Sequence, residues 1–220
     1  MATLFLDYDG TLHETLKVYA PGFRAGYAWL VQEGYAAPQE FSDEWIGRWL
    51  GWTVQDMWET FMPELPEPAW REASHLVGQE MDRLTEAGCG SLFAGIPEAL
   101  DALVAAGHTC VMLSNCGKQY ARDHARIYGL DRWLSAYHTS ADFPGLTKAE
   151  IYRAVKDAPG HPYPHVVVGD RFHDIQAAAE NNIPSIACAF GYGAPEELTA
   201  ATRVIQHPIE LPTAVSAVLG

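Results

Sequence analysis

The sequence predicts a doubly wound, mostly parallel α/β fold interrupted by a helical insert. Three observations carry this reading. Apolar, β-branched runs alternate with helical periodicity from about residue 95 onward. A run of the same kind, Thr3-Leu4-Phe5-Leu6, stands at the start of the chain. Between them lies a stretch with no strand-like alternation that holds six tryptophans: Trp29, Trp45, Trp49, Trp52, Trp58 and Trp70.

Thr3–Leu6 reads as a buried strand that runs into a tight turn at Gly10. From about His13 to Gly90 the texture is helical. Ser42 or Asp43 can cap a helix that carries Trp45, Ile46, Trp49 and Leu50, and Thr53 can cap another with Met57, Trp58 and Phe61 on one face. Pro63, Pro66 and Pro68 punctuate the join to a longer helix from about Ala69 to Glu86. Past Gly95 come a helix opened by Pro97 and stopped by Gly107, then a strand over His108–Leu113. A helix over Lys118–Tyr128, a short strand at Ala136–Ser140 and a helix from Lys148 follow. His165–Val168 is an apolar strand that ends in Gly169-Asp170, and a helix covers Asp174–Asn181. Strands at Pro184–Ala189 and Thr202–Ile205 and a helix ending at Leu219 complete the order. The expected division is a discontinuous core, residues 1–13 and 90–220, with a helical domain at 14–89.

Composition narrows the function classes. The 220 residues suffice for one α/β core and a smaller insert, and 48% hydrophobic with 11% aromatic residues argues for a packed globule. The formal net charge of −14 speaks against nucleic-acid binding, which needs a basic face. No apolar run approaches the roughly 20 residues that span a bilayer. No signal-peptide pattern opens the chain, so a cytoplasmic location and no membrane partner are expected. Cys89, Cys110, Cys116 and Cys188 show no CxxC pairing and read as reduced thiols. A monomer or homodimer is expected.

Chemistry-bearing residues stand at four strand ends or helix starts. Asp7-Tyr8-Asp9-Gly10-Thr11 follows the first strand, and residues two apart on a strand point to one side, so Asp7 and Asp9 can converge. Ser114-Asn115 follows Val111-Met112-Leu113. Lys148 opens a helix after Gly145-Leu146-Thr147, and Gly169-Asp170-Arg171-Phe172-His173-Asp174 follows Val166-Val167-Val168. In a parallel sheet these all lie along the carboxyl edge, where such folds keep their ligand sites. Like-charged carboxylates that crowd together require a cation or a proton. Each motif alone has a plainer reading as a turn, a helix cap or a surface lysine; their joint order does not.

The constellation resembles the haloacid dehalogenase-like superfamily: DxDGT at Asp7–Thr11, a strand-end Ser at Ser114, a lone Lys at Lys148 and GDxxxD at Gly169–Asp174. The resemblance covers nearly the whole chain. It implies a Rossmann-like core with a helical cap, and a Mg²⁺-dependent phosphatase acting on a small phosphorylated metabolite. It also implies that Asp7 is the nucleophile, giving an aspartyl-phosphate, and Asp9 the general acid and base. Mg²⁺ would be bound by the Asp7 carboxylate, the Asp9 backbone carbonyl and Asp170, with Asp174 acting through water. Tyr8, Ser114, Asn115 and Lys148 would hold the phosphoryl group.

The insert occupies the place of the superfamily's lid, with Lys17, Arg24, Arg48, Arg71 and Arg83 as cations for a second anionic group. Similarity to phosphoglycolate phosphatases is the leading reading. Mutases of the superfamily usually carry an acidic residue where Gly169 lies, so a mutase or phosphotransferase ranks second. A phospho-aspartate signalling module that does not turn over ranks last. Arg171 is a candidate to orient Asp174 or a neighbouring loop. The roles of His173 and of Gly191-Tyr192-Gly193 stay open.

Overall fold

Six short strands, β1 (Thr3–Leu6), β2 (Thr109–Ser114), β3 (Leu134–Thr139), β4 (His165–Gly169), β5 (Ser185–Cys188) and β6 (Arg203–Ile205), form one parallel sheet in the order β3-β2-β1-β4-β5-β6. The computed structural model describes residues 1–220. The chain divides into two compact units: Met1–Glu14 with Leu92–Gly220, which contains the sheet, and Thr15–Ser91.

The second unit is helical: α1 (Leu16–Gln32), α2 (Asp43–Gly47), α3 (Val54–Phe61) and α4 (Glu67–Glu86). Its core is aromatic, with Phe23, Phe41, Trp49, Trp58 and Trp70 buried alongside Leu30, Ile46 and Met57. Ser42 Oγ accepts from the Trp45 N–H at 3.2 Å, and Thr53 Oγ1 accepts from the Asp56 N–H at 3.2 Å, which satisfies donors that a helix start leaves open. α2 is shorter than the periodicity suggests. It ends at Gly47, and Trp49 and Leu50 are buried from the turns that follow, before Gly51 redirects the chain with φ +85°. Glycine disfavours helix continuation.

The sheet unit adds α5 (Ile96–Ala105), α6 (Lys118–Tyr128), α7 (Lys148–Val155), α8 (Phe172–Glu180) and α9 (Leu211–Leu219). Leu4 and Leu6 point to one face, where they meet Leu100 and Leu103 of α5, Ala121 and Ala125 of α6, and Ala214 and Val215 of α9. Phe5 points to the other face, against Ile151, Tyr152 and Val155 of α7 and Ala178 of α8. Burial of both faces explains why the central strands read as unbroken apolar runs.

After β1 the chain builds outward through β2 and β3, then returns to β4 on the opposite flank of β1. Ligand crevices form at such a reversal, outside the carboxyl ends of the strands. In the sheet unit two elements begin two residues before the expected start. β3 begins two residues earlier, at Leu134. α8 begins at Phe172, because Asp174 is not its first residue but its third. There its carboxylate reaches back to accept from the Arg171 N–H at 3.0 Å.

Candidate active site

β1 and β4 are paired as far as Leu6 and Val168, and the Asp7 N–H donates to the Val168 carbonyl at 2.8 Å. The next residues on the two strands therefore bring Asp7 beside the Gly169-Asp170 turn. Carboxylate oxygens of Asp7, Asp170 and Asp174 all lie within 4.8 Å of one another, and all three side chains are buried. Lys148, from the start of α7, bridges two of them: Nζ donates to Asp7 Oδ1 at 2.8 Å and to Asp174 Oδ1 at 2.6 Å.

Asp170 is held differently. Thr11 Oγ1 donates to its Oδ1 at 3.2 Å, and the Tyr192 N–H donates to its Oδ2 at 2.7 Å. The backbone makes room for this. Gly10 turns the chain with φ +88° directly over the Asp170 carboxylate. A Cβ at Gly169 would stand 2.0 Å from Asp174 Cγ, and one at Gly191 would stand 2.3 Å from Asp170 Cβ. The Gly191-Tyr192-Gly193 segment thus cradles Asp170.

Three carboxylates against one ammonium leave an excess of negative charge, and the electrostatics record it. Burial pushes the Asp7 carboxyl up to about 6, partly offset by the Lys148 charge and reinforced by Asp174. Burial, then the charges of Asp7 and Asp174, holds Asp170 well above the ordinary carboxylate range. Burial opposes the charge of Lys148, but Asp174 and Asp7 outweigh it and raise the ammonium above its usual value. Asp7 Oδ2 is buried with no hydrogen-bond partner. An anionic, oxygen-only cluster with an unmatched lone-pair site fits a hard divalent cation.

The remaining expected residues fall into place unevenly. Asp9 is only partly buried, and its Oδ1 accepts from the Tyr120 hydroxyl at 2.8 Å. Ser114 is buried at the end of β2, where its Oγ accepts from the Cys116 N–H at 3.4 Å, and the Asn115 carbonyl accepts from Ser140 Oγ at 2.9 Å. For Tyr8 the structure takes away the side chain: it is fully buried in the core, with the phenol oxygen 2.8 Å from His124 Nδ1, so only the main chain of this residue is available to a phosphoryl group. Tyr8 continues the alternation of Leu4 and Leu6 and packs with them, on the side of the sheet away from Phe5 and Asp7, leaving its main chain near the site.

Arg171 is turned to the neighbouring loop: its guanidinium donates to Glu197 at 3.0 and 3.3 Å, and Glu197 also accepts from the Phe172 N–H at 3.0 Å. His173 packs its ring on Phe172, with centroids 3.7 Å apart. In the helical unit, exposed Arg24, Arg71 and Arg83 pair with Asp43, Glu67 and Glu80. Lys17 donates to Ser91 at 3.0 Å, and Arg48 lies over the Trp45 ring at 5.0 Å.

Tyr120, Glu197 and the Tyr192 N–H were not foreseen. Tyr120 had a legible signal, because Tyr120, His124 and Tyr128 recur every four residues and so share one face of α6. Glu197 had none; it sits in a polar run after a glycine-rich turn.

A parallel α/β sheet with buried carboxylates and a lysine at its switch point defines a class of hydrolytic α/β proteins. Residues 1–182 match the family described as haloacid dehalogenase-like hydrolase, and the chain belongs to that family. A 5'-nucleotidase of Pseudomonas aeruginosa is 34% identical over 134 residues, 60% of each chain. A phosphoglycolate phosphatase of Agrobacterium fabrum is 34% identical over 103 residues, 46% of this chain and 44% of that protein. The chain thus spans less than two thirds of the length of these curated relatives. A solved structure from Clostridium acetobutylicum, named a predicted phosphatase, shares the fold with a TM-score of 0.84 at 19% identity over 98% of each chain. No helix is long and apolar enough to cross a membrane.

Proposed function

We propose that this chain is a Mg²⁺-dependent phosphatase that hydrolyses a small phosphorylated metabolite through a phosphorylated Asp7. The observation that carries the reading is the buried cluster of Asp7, Asp170 and Asp174 with Lys148 and an unpartnered Asp7 oxygen. The carboxylates of Asp7 and Asp170 and the Asp9 carbonyl would hold the metal, with Asp174 acting through water. When bound, the metal neutralises charge on the cluster and on the phosphoryl oxygens.

The first step forms a bond from an Asp7 carboxylate oxygen to phosphorus and breaks the ester P–O bond. The departing oxygen takes its proton from the Asp9 carboxyl. In the second step Asp9, now a carboxylate, takes a proton from water. The water oxygen bonds to phosphorus, the acyl-phosphate P–O bond breaks, and phosphate leaves with Asp7 restored. Ser114 and nearby N–H groups hold phosphoryl oxygens, and Lys148 balances charge on Asp7 and the transferring group. Asp174 and Asp7 fix the lysine in that position from both sides. The partly buried position of Asp9 suits a group that must exchange a proton with substrate and water, while buried Asp7 suits a nucleophile shielded from bulk solvent.

The test is phosphate release from a panel of small phosphomonoesters, beginning with a nucleoside 5'-monophosphate and phosphoglycolate, with Mg²⁺ and after chelation. Asp7→Asn is expected to lower turnover by at least about 10³-fold with circular dichroism unchanged. Full activity in that variant, or turnover indifferent to chelation, overturns the reading.

A further inference from the structure

We infer that Tyr120 is a positioning residue for Asp9, fixing which carboxyl oxygen carries the proton in the reaction proposed above, on which this inference rests. The Tyr120 hydroxyl donates to Asp9 Oδ1 at 2.8 Å across 111 residues of sequence. A carboxyl group in its acid form bears one proton. With a phenol donating to Oδ1, that oxygen is occupied as an acceptor, and the proton belongs on Oδ2. The same hydrogen bond persists when Asp9 is a carboxylate and receives a proton from water.

The phenol is itself held in place. The Tyr120 ring stacks close to His124, with centroids 3.8 Å apart, and meets the edge of Tyr8 at 6.1 Å. Tyr8 and His124 are joined by the 2.8 Å contact between Oη and Nδ1. His13 stacks on Tyr8 at 5.3 Å and stands edge-on to His124 at 4.9 Å. Residues of the loop after β1 and of α6 therefore form one aromatic block, and its outermost hydroxyl faces Asp9. Rigid support of this kind is what holds a proton donor in productive geometry. Nothing else about Tyr120 calls for a hydroxyl; a phenylalanine ring would pack in the same place.

Tyr120→Phe separates positioning from structure, because it keeps the ring and removes the donor. The readout is kcat/KM for two esters of different leaving groups, together with KM. An alkyl phosphate, such as a glycerol phosphate, departs as a strongly basic alkoxide and needs the proton from Asp9. p-Nitrophenyl phosphate departs as a stable phenolate and needs it little.

The expected result is a fall of about 10- to 100-fold for the alkyl ester, less than about threefold for the aryl ester, and an unchanged KM. A crystal structure of the variant is expected to show the Asp9 carboxyl rotated from its present orientation. Equal losses on both esters, no loss on either, or an unmoved Asp9 would overturn the inference while leaving the phosphatase reading intact. Wild-type protein that releases phosphate from no ester would overturn both.

Discussion

Both ends of β1 and β4 bury polar side chains, and they do so in opposite ways. At the amino end, Thr3 donates to the Pro162 carbonyl at 2.8 Å, and His161 Nδ1 meets the Val155 carbonyl at 2.9 Å. His165 lies between the Tyr152 hydroxyl at 2.8 Å and the His161 carbonyl at 3.2 Å. A neutral imidazole satisfies both of those contacts at once, so the cluster closes with no net charge. At the carboxyl end, three carboxylates crowd together, one lysine bridges two of them, and an oxygen of Asp7 is left unmatched. Buried polar groups that are fully paired specify a fold; buried charge in excess has a cost that a proton or a bound cation relieves. The contrast is drawn within a single pair of strands.

The largest expected effect strikes the charged end. Lys148→Met leaves its carboxylates uncompensated, and chemical denaturation of the metal-free protein should show a loss of about 3–5 kcal/mol. A loss below 1 kcal/mol would mean that the carboxylates are neutral without the lysine, and the contrast between the two ends would dissolve.

The pH dependence sharpens the comparison further. The Asp7 carboxyl titrates near 6 in the fold and near 3.8 in the open chain, so the folded state binds the extra proton. Metal-free protein therefore loses this contribution as pH rises from about 4 to about 6. Buried His165, held below its ordinary value by desolvation, acts in the opposite sense, losing stability as pH falls. The difference between Asp7→Asn and wild type is the clean readout. The variant's advantage in melting temperature should grow over that window and then level off, and saturating Mg²⁺ should shrink it. A gap that does not change with pH would remove Asp7 from the electrostatic account.

The smallest effect belongs to the neutral end. Tyr152→Phe should cost about 1 kcal/mol in denaturant unfolding and leave phosphate release untouched. A drop in turnover would show that the two ends are coupled and are not separate devices.

Much of the fold was legible because periodicity and strand-end motifs are local signals. The strands bearing Asp7, Ser114 and Asp170 announced themselves by apolar runs that end in glycine or a polar turn. Lys148 could be placed at a helix start because it follows Gly145-Leu146-Thr147, and the structure adds a capping box of Thr147 and Glu150 around it. What escaped was whatever depends on partners distant in sequence. Tyr8 belongs to the motif by sequence, yet its side chain is spent on the core contact with His124, 116 residues away. The hydrogen bond from Tyr120 to Asp9 joins two elements that only the sheet brings together. Glu197 gathers Arg171 and the Phe172 N–H from 26 and 25 residues away, a contact that no local pattern encodes.

The aromatic core of the helical unit has an optical consequence. Six of the seven tryptophans lie in Thr15–Ser91, and Trp133 is the one indole of the sheet unit. Intrinsic emission from this protein is therefore a spectroscopic label for the helical unit. A melt followed at indole wavelengths reports the helices, while the sheet that carries the carboxylates stays nearly dark.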